Sequence, residues 1–493
     1  MFDKIKQLTK DTAIYGVSTI VGRFITFLLV PFYTNIFSPD DYGVIANLYI
    51  FIAIFSIIYI FGMDAAYLKF ASQKSSAGEK DNFSTPFLTV TIISLFLSLL
   101  IIFFKSSLNS ILEIPKQYSY LIFYSSLILF IDELCVIPFI KLRIERKAKI
   151  FAAYKIINIL TNVFFNILLI VYLKKGIEAV LISNVIASVL TLLIFLPDII
   201  KYLRPVINIS LLQRLLKFGL PYLPAGLGSM LIQGIDRPIL TKLTDLNTVG
   251  IYNANHKLGI FMMLVVNMFQ YAWQPFFLQQ SEEKDAKKIF SKVLTYFTFT
   301  ASIILVFISI FIDDIVKLNL GGITLIGSAY WSGLAIVPIV LLGYLFNGMY
   351  VVFTAGIYIE EKSIYVPLIT GIGAAVNIAA NFLLIPWFGI IGASLAALAS
   401  YVVMAFGLYS ITQKFYKIEY ELGKLFSIFG IIFITSVIFY WLKAEEVLNV
   451  FYKSIILILF IVITSMVVFS KNEILTIKNK LYEKFSLQKP KRF

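Results

Sequence analysis

Fourteen apolar stretches, each long enough to cross a bilayer, run through these 493 residues. They fall at about 12–37, 43–68, 84–104, 118–140, 150–172, 177–196, 218–240, 248–277, 289–312, 330–355, 364–385, 389–412, 424–442 and 451–469. A helix needs roughly 20 apolar residues to cross about 30 Å of hydrocarbon. Backbone amides left unpaired at that depth are too costly for irregular structure. The expected fold is therefore an all-α polytopic membrane protein of about fourteen transmembrane helices. A composition that is 59% hydrophobic and 14% charged agrees, since a soluble chain of this length needs far more polar cover.

Basic residues are distributed one-sidedly. With the N terminus placed in the cytoplasm, thirty of the 42 Lys and Arg fall on inside segments and seven on outside loops. The densest inside run is Lys141, Arg143, Arg146, Lys147 and Lys149. That bias orients both termini toward the cytoplasm. The net charge of +14 then reports orientation, and nucleic acid is not an expected partner. A polar region follows Met1 and leads into a stretch long enough to span, so no cleavable signal peptide is expected. The basic tail at 471–493 is either an amphipathic helix on the inner surface or a plain orientation signal.

An internal repeat organises the spans. Asn162-Val-Phe-Phe-Asn166-Ile-Leu-Leu-Ile170 precedes Gly176-Ile-Glu-Ala179, and Asn377-Ile-Ala-Ala-Asn381-Phe-Leu-Leu-Ile385 precedes Gly389-Ile-Ile-Gly392-Ala393. These segments lie about 215 residues apart. A weaker echo relates Asp41-Tyr-Gly43-Val44 to Thr248-Val-Gly250-Ile251. Two parallel six-span repeats give two pseudo-symmetric lobes around a central axis, the architecture of a transporter. The expected division is an N-terminal lobe at 1–200, a cytoplasmic linker at 201–217, a C-terminal lobe at 218–413, two added spans at 414–470 and the tail at 471–493.

Charged side chains inside a bilayer normally face a bundle interior or a wet cavity. Arg23, near the middle of the first span, is the clearest candidate to meet an anionic substrate, with a buried ion pair as the alternative. Arg237, His256, Lys257, Asn253 and Asn255 extend a polar, cationic surface through the outer parts of the seventh and eighth spans. Asp64, Asp132, Glu133 and Asp236 are carboxylates able to carry a coupling proton or hold a coupling Na+, or else to form structural ion pairs. Asp132 and Glu133 are adjacent, so their side chains diverge by about 100° and at most one points straight into a cavity. Gly22 and Pro31 interrupt the first span; Gly219, Pro221, Pro224, Gly226, Gly228 and Gly234 interrupt the seventh. The first helix of each lobe is thus expected to bend.

Several chemistries are excluded. One cysteine, Cys135, forms no intramolecular disulfide and no thiol-ligated cluster, and one histidine builds no His-rich metal site. No phosphate-binding Gly-x-x-x-x-Gly-Lys-Ser/Thr loop occurs, so the chain carries no ATP engine. Neither a cofactor nor a metal is expected, and the chain is not read as an enzyme.

The opening Tyr15-Gly16-Val17-Ser18 through Gly22-Arg23-Phe24, then Pro31-Phe32-Tyr33-Thr34 and Ser38-Pro39-Asp40-Asp41-Tyr42-Gly43, resembles the start of the polysaccharide-biosynthesis flippases. These belong to the multidrug/oligosaccharidyl-lipid/polysaccharide exporter superfamily, and the segment at 377–393 looks like the same family's. The resemblance implies two six-helix lobes in a V around a cationic cavity in the bacterial cytoplasmic membrane. It further implies a polyprenyl-diphosphate-linked oligosaccharide as substrate, inner-to-outer translocation by alternating access for surface polysaccharide synthesis, and a functional monomer able to associate with a polymerase. Arg23 then corresponds to a first-helix basic residue of the cavity, with Lys257 or Arg237 supplying the second lobe's charge. The alternatives are a peptidoglycan lipid-precursor flippase, a drug or cation antiporter, and a membrane-bound polymerase or ligase. A central Arg disfavours cationic drugs, and short outside loops disfavour the last.

Overall fold

The computed structural model describes residues 21–22, 24–72, 78–281 and 283–470. Its α-helices of eight residues or more are, in chain order, α1 (Phe24–Ile36), α2 (Pro39–Ile60), α3 (Met63–Ser72), α4 (Glu79–Phe103), α5 (Leu121–Ile144), α6 (Ala148–Ile167) and α7 (Glu178–Tyr202). They continue with α8 (Ile209–Gly219), α9 (Tyr222–Gly234), α10 (Asp236–Leu243), α11 (Leu246–His256) and α12 (Ile260–Gln280). The series ends with α13 (Ala286–Lys317), α14 (Ser328–Ile359), α15 (Tyr365–Phe415), α16 (Leu422–Ala444) and α17 (Val450–Val468). Among the described residues, 10 helices are long and apolar enough to cross a membrane. The other apolar stretches are helical but broken. The seventh stretch is divided at Ile235 and the eighth by a 3-10 turn at Lys257–Gly259, and α15 joins the eleventh and twelfth across non-helical Gly389. The first half of the first stretch, and the tail at 471–493, lie outside the described residues.

Local chemistry sets where these helices start and stop. Ser38 caps α2 by accepting the Asp41 amide at 3.2 Å, with Pro39 in the first turn and Asp40 and Asp41 favourable at the positive end of the helix dipole. Asp245 caps α11 in the same way, accepting the Thr248 amide at 2.7 Å. At its other end α2 stops where Phe61 and Gly62 take φ of 37° and 77°. Gly62 is required there twice over: its φ is left-handed, and a Cβ would lie 2.0 Å from the Gly219 carbonyl oxygen.

The repeat read from the sequence has a geometric counterpart. Asn166 Nδ2 donates to Asn162 O at 2.9 Å and Oδ1 at 3.1 Å, and Asn381 Nδ2 donates to Asn377 O at 2.8 Å and Oδ1 at 3.0 Å. Each helix then turns through a left-handed residue at the same repeat position, Lys174 (φ 49°) and Gly389 (φ 52°). The halves differ in what meets the second Asn of each pair. Asn166 Oδ1 accepts from Tyr33 at 2.8 Å, whereas Asn381 Oδ1 is buried without a hydrogen-bond partner among the described residues.

The chain packs as two units. One takes the described residues of Met1–Ile260, Val316–Val340 and Val366–Met404, and so draws on both lobes read from the repeat. The other takes those of Phe261–Ile315, Leu341–Tyr365 and Ala405–Phe493. Within the first unit, Phe61, Met63, Tyr67, Phe83, Phe139 and Phe195 form a buried core that also receives Leu211 and Leu215 of α8. The linker helix is therefore seated in the first unit by its apolar stripe, and the bend of 42° comes after it, between Gly219 and Tyr222. Large apolar side chains such as Trp387 and Phe103 remain about four-fifths exposed, as lipid contact allows.

Candidate functional site

The two echo segments of the sequence meet inside the first unit. A Cβ on Gly43 of α2 would lie 2.1 Å from Leu246 O, and one on Gly250 of α11 would lie 1.8 Å from Pro39 O. The helices thus cross backbone to backbone near their N-terminal ends, which only glycine permits. Asn247 Nδ2 donates to Asp40 Oδ2 at 2.9 Å beside the crossing. Deeper along α2, Asn47 Nδ2 donates to Thr241 Oγ1 of α10 at 2.8 Å.

A hairpin after α13, Asn319–Leu320 paired with Ile323–Thr324, covers this end further. Asn35 donates to Thr324 O at 2.7 Å, and Tyr330 donates to Phe37 O at 2.9 Å. The crossing and the hairpin thus lie at the same end of α2.

Polar groups collect where the seventh and eighth spans are broken. Asp236 and Arg237 open α10 and are both buried, with Arg237 Nη1 at 2.7 Å from Asp236 Oδ1. The other Asp236 oxygen accepts from Tyr252. The guanidinium also donates to Gln233 O at 2.8 Å and to Asn253 Oδ1 at 3.4 Å, and its Nη2 lies 3.2 Å from His256 Nδ1. A guanidinium has no acceptor, so Nδ1 is the accepting nitrogen of His256. Arg237 is thus held inside a network that neutralises its charge.

Lys257 begins the 3-10 turn and extends toward α2, donating to Tyr42 Oη at 3.0 Å. The Tyr42 ring packs edge-on to Tyr330 and against Tyr33, whose hydroxyl reaches Asn166. Asn255 Nδ2 donates to Ile251 O and Tyr330 O, both at 2.8 Å, and its Oδ1 is buried without a hydrogen-bond partner among the described residues.

A second array is acidic. Glu133 on α5 is buried and accepts from Ser56 of α2 at 2.6 Å, while its Oε2 is buried without a hydrogen-bond partner among the described residues. The adjacent Asp132 points in a different direction and is exposed. Asp64 sits in the first turn of α3, and its charge and that of Asp132 act on Glu133. Lys155 of α6 attracts both Asp132 and Glu133.

The fold therefore gathers Asp64, Asp132 and Glu133 into one electrostatic group, and Asp236, Arg237, Asn253 and His256 into another. Lys257 and Asn255 belong to the tyrosine-lined contact with α2. Arg23 lies outside the described residues, although a Cβ on its neighbour Gly22 would come within 2.7 Å of Ile159 of α6. Tyr33, Tyr42, Ser56, Tyr252 and Tyr330 are site residues that span-by-span reading passes over. Tyrosine inside a span reads as packing until a partner for its hydroxyl is known. Among the described residues, no group of His, Cys, Asp and Glu is arranged to hold a metal ion.

The structure resembles that of the lipid II flippase MurJ in an inward closed conformation, with a TM-score of 0.72 at 18% identity over 92% of this chain and 98% of that one. It also resembles an inward-facing multidrug resistance MATE family transporter of the MOP superfamily, at 0.65 and 11% identity over 80% and 94%. An outward-facing transporter of that description scores 0.56 at 13% identity over 82% and 95%. Identities this low establish a shared fold. No curated protein sequence matches the chain. A family described as polysaccharide biosynthesis protein matches residues 34–323, more than half of the sequence and including the crossing, both polar arrays and the first Asn pair. The chain belongs to the polysaccharide biosynthesis protein family.

Proposed function

We propose that the protein is a flippase that carries polyprenyl-diphosphate-linked oligosaccharide repeat units from the inner to the outer leaflet of a bacterial cytoplasmic membrane, for surface polysaccharide synthesis. The observation that carries the reading is the reciprocal Gly43–Gly250 crossing with Lys257 bonded to Tyr42. Repeat-related segments close one end against each other, and a cation stands at a break in one of the two spans involved. Alternating access needs such a contact, one that can separate as a unit.

In this cycle the lipid diphosphate pairs with Arg23 and Lys257 while both termini stay in the cytoplasm. Arginine suits the role because its planar donors hold phosphate oxygens two at a time. Arg237, engaged with Asp236, supports the second lobe's polar surface together with Asn253, Asn255 and His256. Asp64, Asp132 and Glu133 are the proposed carriers of a coupling ion, H+ or Na+. The protein works as a monomer, makes and breaks no covalent bond, and hands its cargo to a polymerase of the same pathway.

A second reading, a peptidoglycan lipid-precursor flippase, is favoured by the fold likeness to MurJ over 92% of the chain. Proteoliposomes loaded with fluorescent polyprenyl-diphosphate lipids separate the two. Faster transfer of oligosaccharide repeat units than of peptidoglycan precursor supports the proposal, and the reverse order supports the second reading. No transfer of either lipid sinks both.

A further inference from the structure

In the second unit, the first turns of α13 and the connection at 416–421 border an open cavity of about 530 Å³. Lys287, Lys288, Lys292 and Lys417 line it together with Glu419 and Glu421. Four lysines thus border one concavity against two carboxylates, and Lys292 is engaged in a contact of its own. One of those carboxylates is committed elsewhere: Glu421 accepts from Lys424 at 2.9 Å through one oxygen and from Thr295 at 2.7 Å through the other. Lys288 pairs with Asp285 at 3.3 Å in an exposed contact. Lys287 and Lys417 carry the positive surplus that remains at the concavity.

The connection is held in shape. Gln413 donates to Ile418 O at 2.8 Å and accepts the Ile418 amide at 3.0 Å, and Ser291 donates to Glu419 O at 2.8 Å. Tyr416, Ile418 and Tyr420 are buried, which leaves Lys417 pointing outward next to the lysines of α13. Lys287 lies 4.7 Å from the centre of the Tyr416 ring. Like charges held at a rigid concavity repel one another, and an anion relieves that repulsion. The amides opening α13 add partial positive charge at the same place.

The surroundings select the anion's source. Phe415, Leu422 and Phe426 flank the connection and are exposed, the last two on one face of α16. An acyl chain lying on them reaches the lysines with its headgroup, and this is the side of the membrane that carries the basic excess. Basic pockets between spans on that side are suited to anionic headgroups.

We propose that this cavity binds a phosphate group belonging to an anionic phospholipid of the surrounding leaflet. The inference is independent of what the protein transports. Full-length protein in nanodiscs of phosphatidylcholine and phosphatidylglycerol, released for native mass spectrometry, reads the retained anionic lipid. In K287Q/K417Q the affinity for phosphatidylglycerol is expected to fall about fivefold for each lysine. K287R/K417R keeps both charges and keeps binding, and K174Q/K175Q, altered in a loop on the opposite side, matches the wild type. Should the double Gln variant not fold, K417Q alone on the exposed connection reads the single-lysine loss. Equal phosphatidylglycerol retention in wild type and K417Q overturns the proposal. Displacement of the lipid by inorganic phosphate at equal concentration also overturns it, because the source is then a free anion.

Discussion

Gly43 and Gly250 hold two repeat-related helices in backbone contact, each occupying the space in which the other's helix leaves no room for a methyl group. Placing alanine at either position forces the helices apart at a cost of about 1–3 kcal/mol. The expected result for G43A and G250A is a larger population open at this end. Labelling of Asn247→Cys by an impermeant thiol reagent reads it, since the single native cysteine, Cys135, is buried and stays silent. Unchanged labelling in both alanine variants counts against a separable contact.

Arg237 and Asp236 make a different kind of pair, buried and hydrogen-bonded on several sides. Removing the guanidinium in R237A strands a buried carboxylate, with an expected loss of about 3–5 kcal/mol. The double variant D236N/R237Q removes both charges and regains part of that loss. Thermal unfolding in detergent measures both, and the order of the two melting temperatures is the decisive observation.

Tyr33 satisfies Asn166 Oδ1 at 2.8 Å. In Y33F that oxygen loses its donor, which costs about 1–3 kcal/mol for a buried group. The same unfolding measurement applies. A melting temperature equal to wild type shows that the bond contributes nothing to stability.

Proton coupling through the acidic group predicts a split between neighbours. Glu133 is buried against Ser56, and Asp132 is exposed. Substituting Glu133→Gln preserves shape and hydrogen bonding while abolishing a titratable group, so transport in proteoliposomes is expected to lose its dependence on an imposed pH gradient. Retained dependence in E133Q removes Glu133 from the coupling role.

Beyond the end of α5, burial acts to raise the Glu145 carboxyl, but hydrogen bonds from Lys147 and Lys141 outweigh it and hold the group below its ordinary value. The unfolded chain therefore takes up this proton first as pH falls. The cluster's stabilisation is full above the ordinary glutamate range of about 4 and is lost as pH drops through the lower folded value. In E145Q the acid limb of the stability curve is expected to flatten, and urea unfolding at stepped pH checks it.

How much of this was legible in sequence depends on the range of the interaction. Membrane class, helical content and the approximate limits of the spans follow from local apolar runs, because hydrocarbon allows no unpaired backbone. The Asn162/Asn166 and Asn377/Asn381 pairs were readable for the same reason, since each pair bonds within one helical turn. Partnership across spans is not readable. Gly43 and Gly250 read only as echoes, and that they touch each other depends on how two helices cross. Asp132 and Glu133 were equivalent carboxylates until α2 placed Ser56 beside one of them. Arg237 counted as a cation until the fold closed Asp236, Gln233, Asn253 and His256 around it. A side chain's type is written in the chain, but its effective charge is set by neighbours that only tertiary packing supplies.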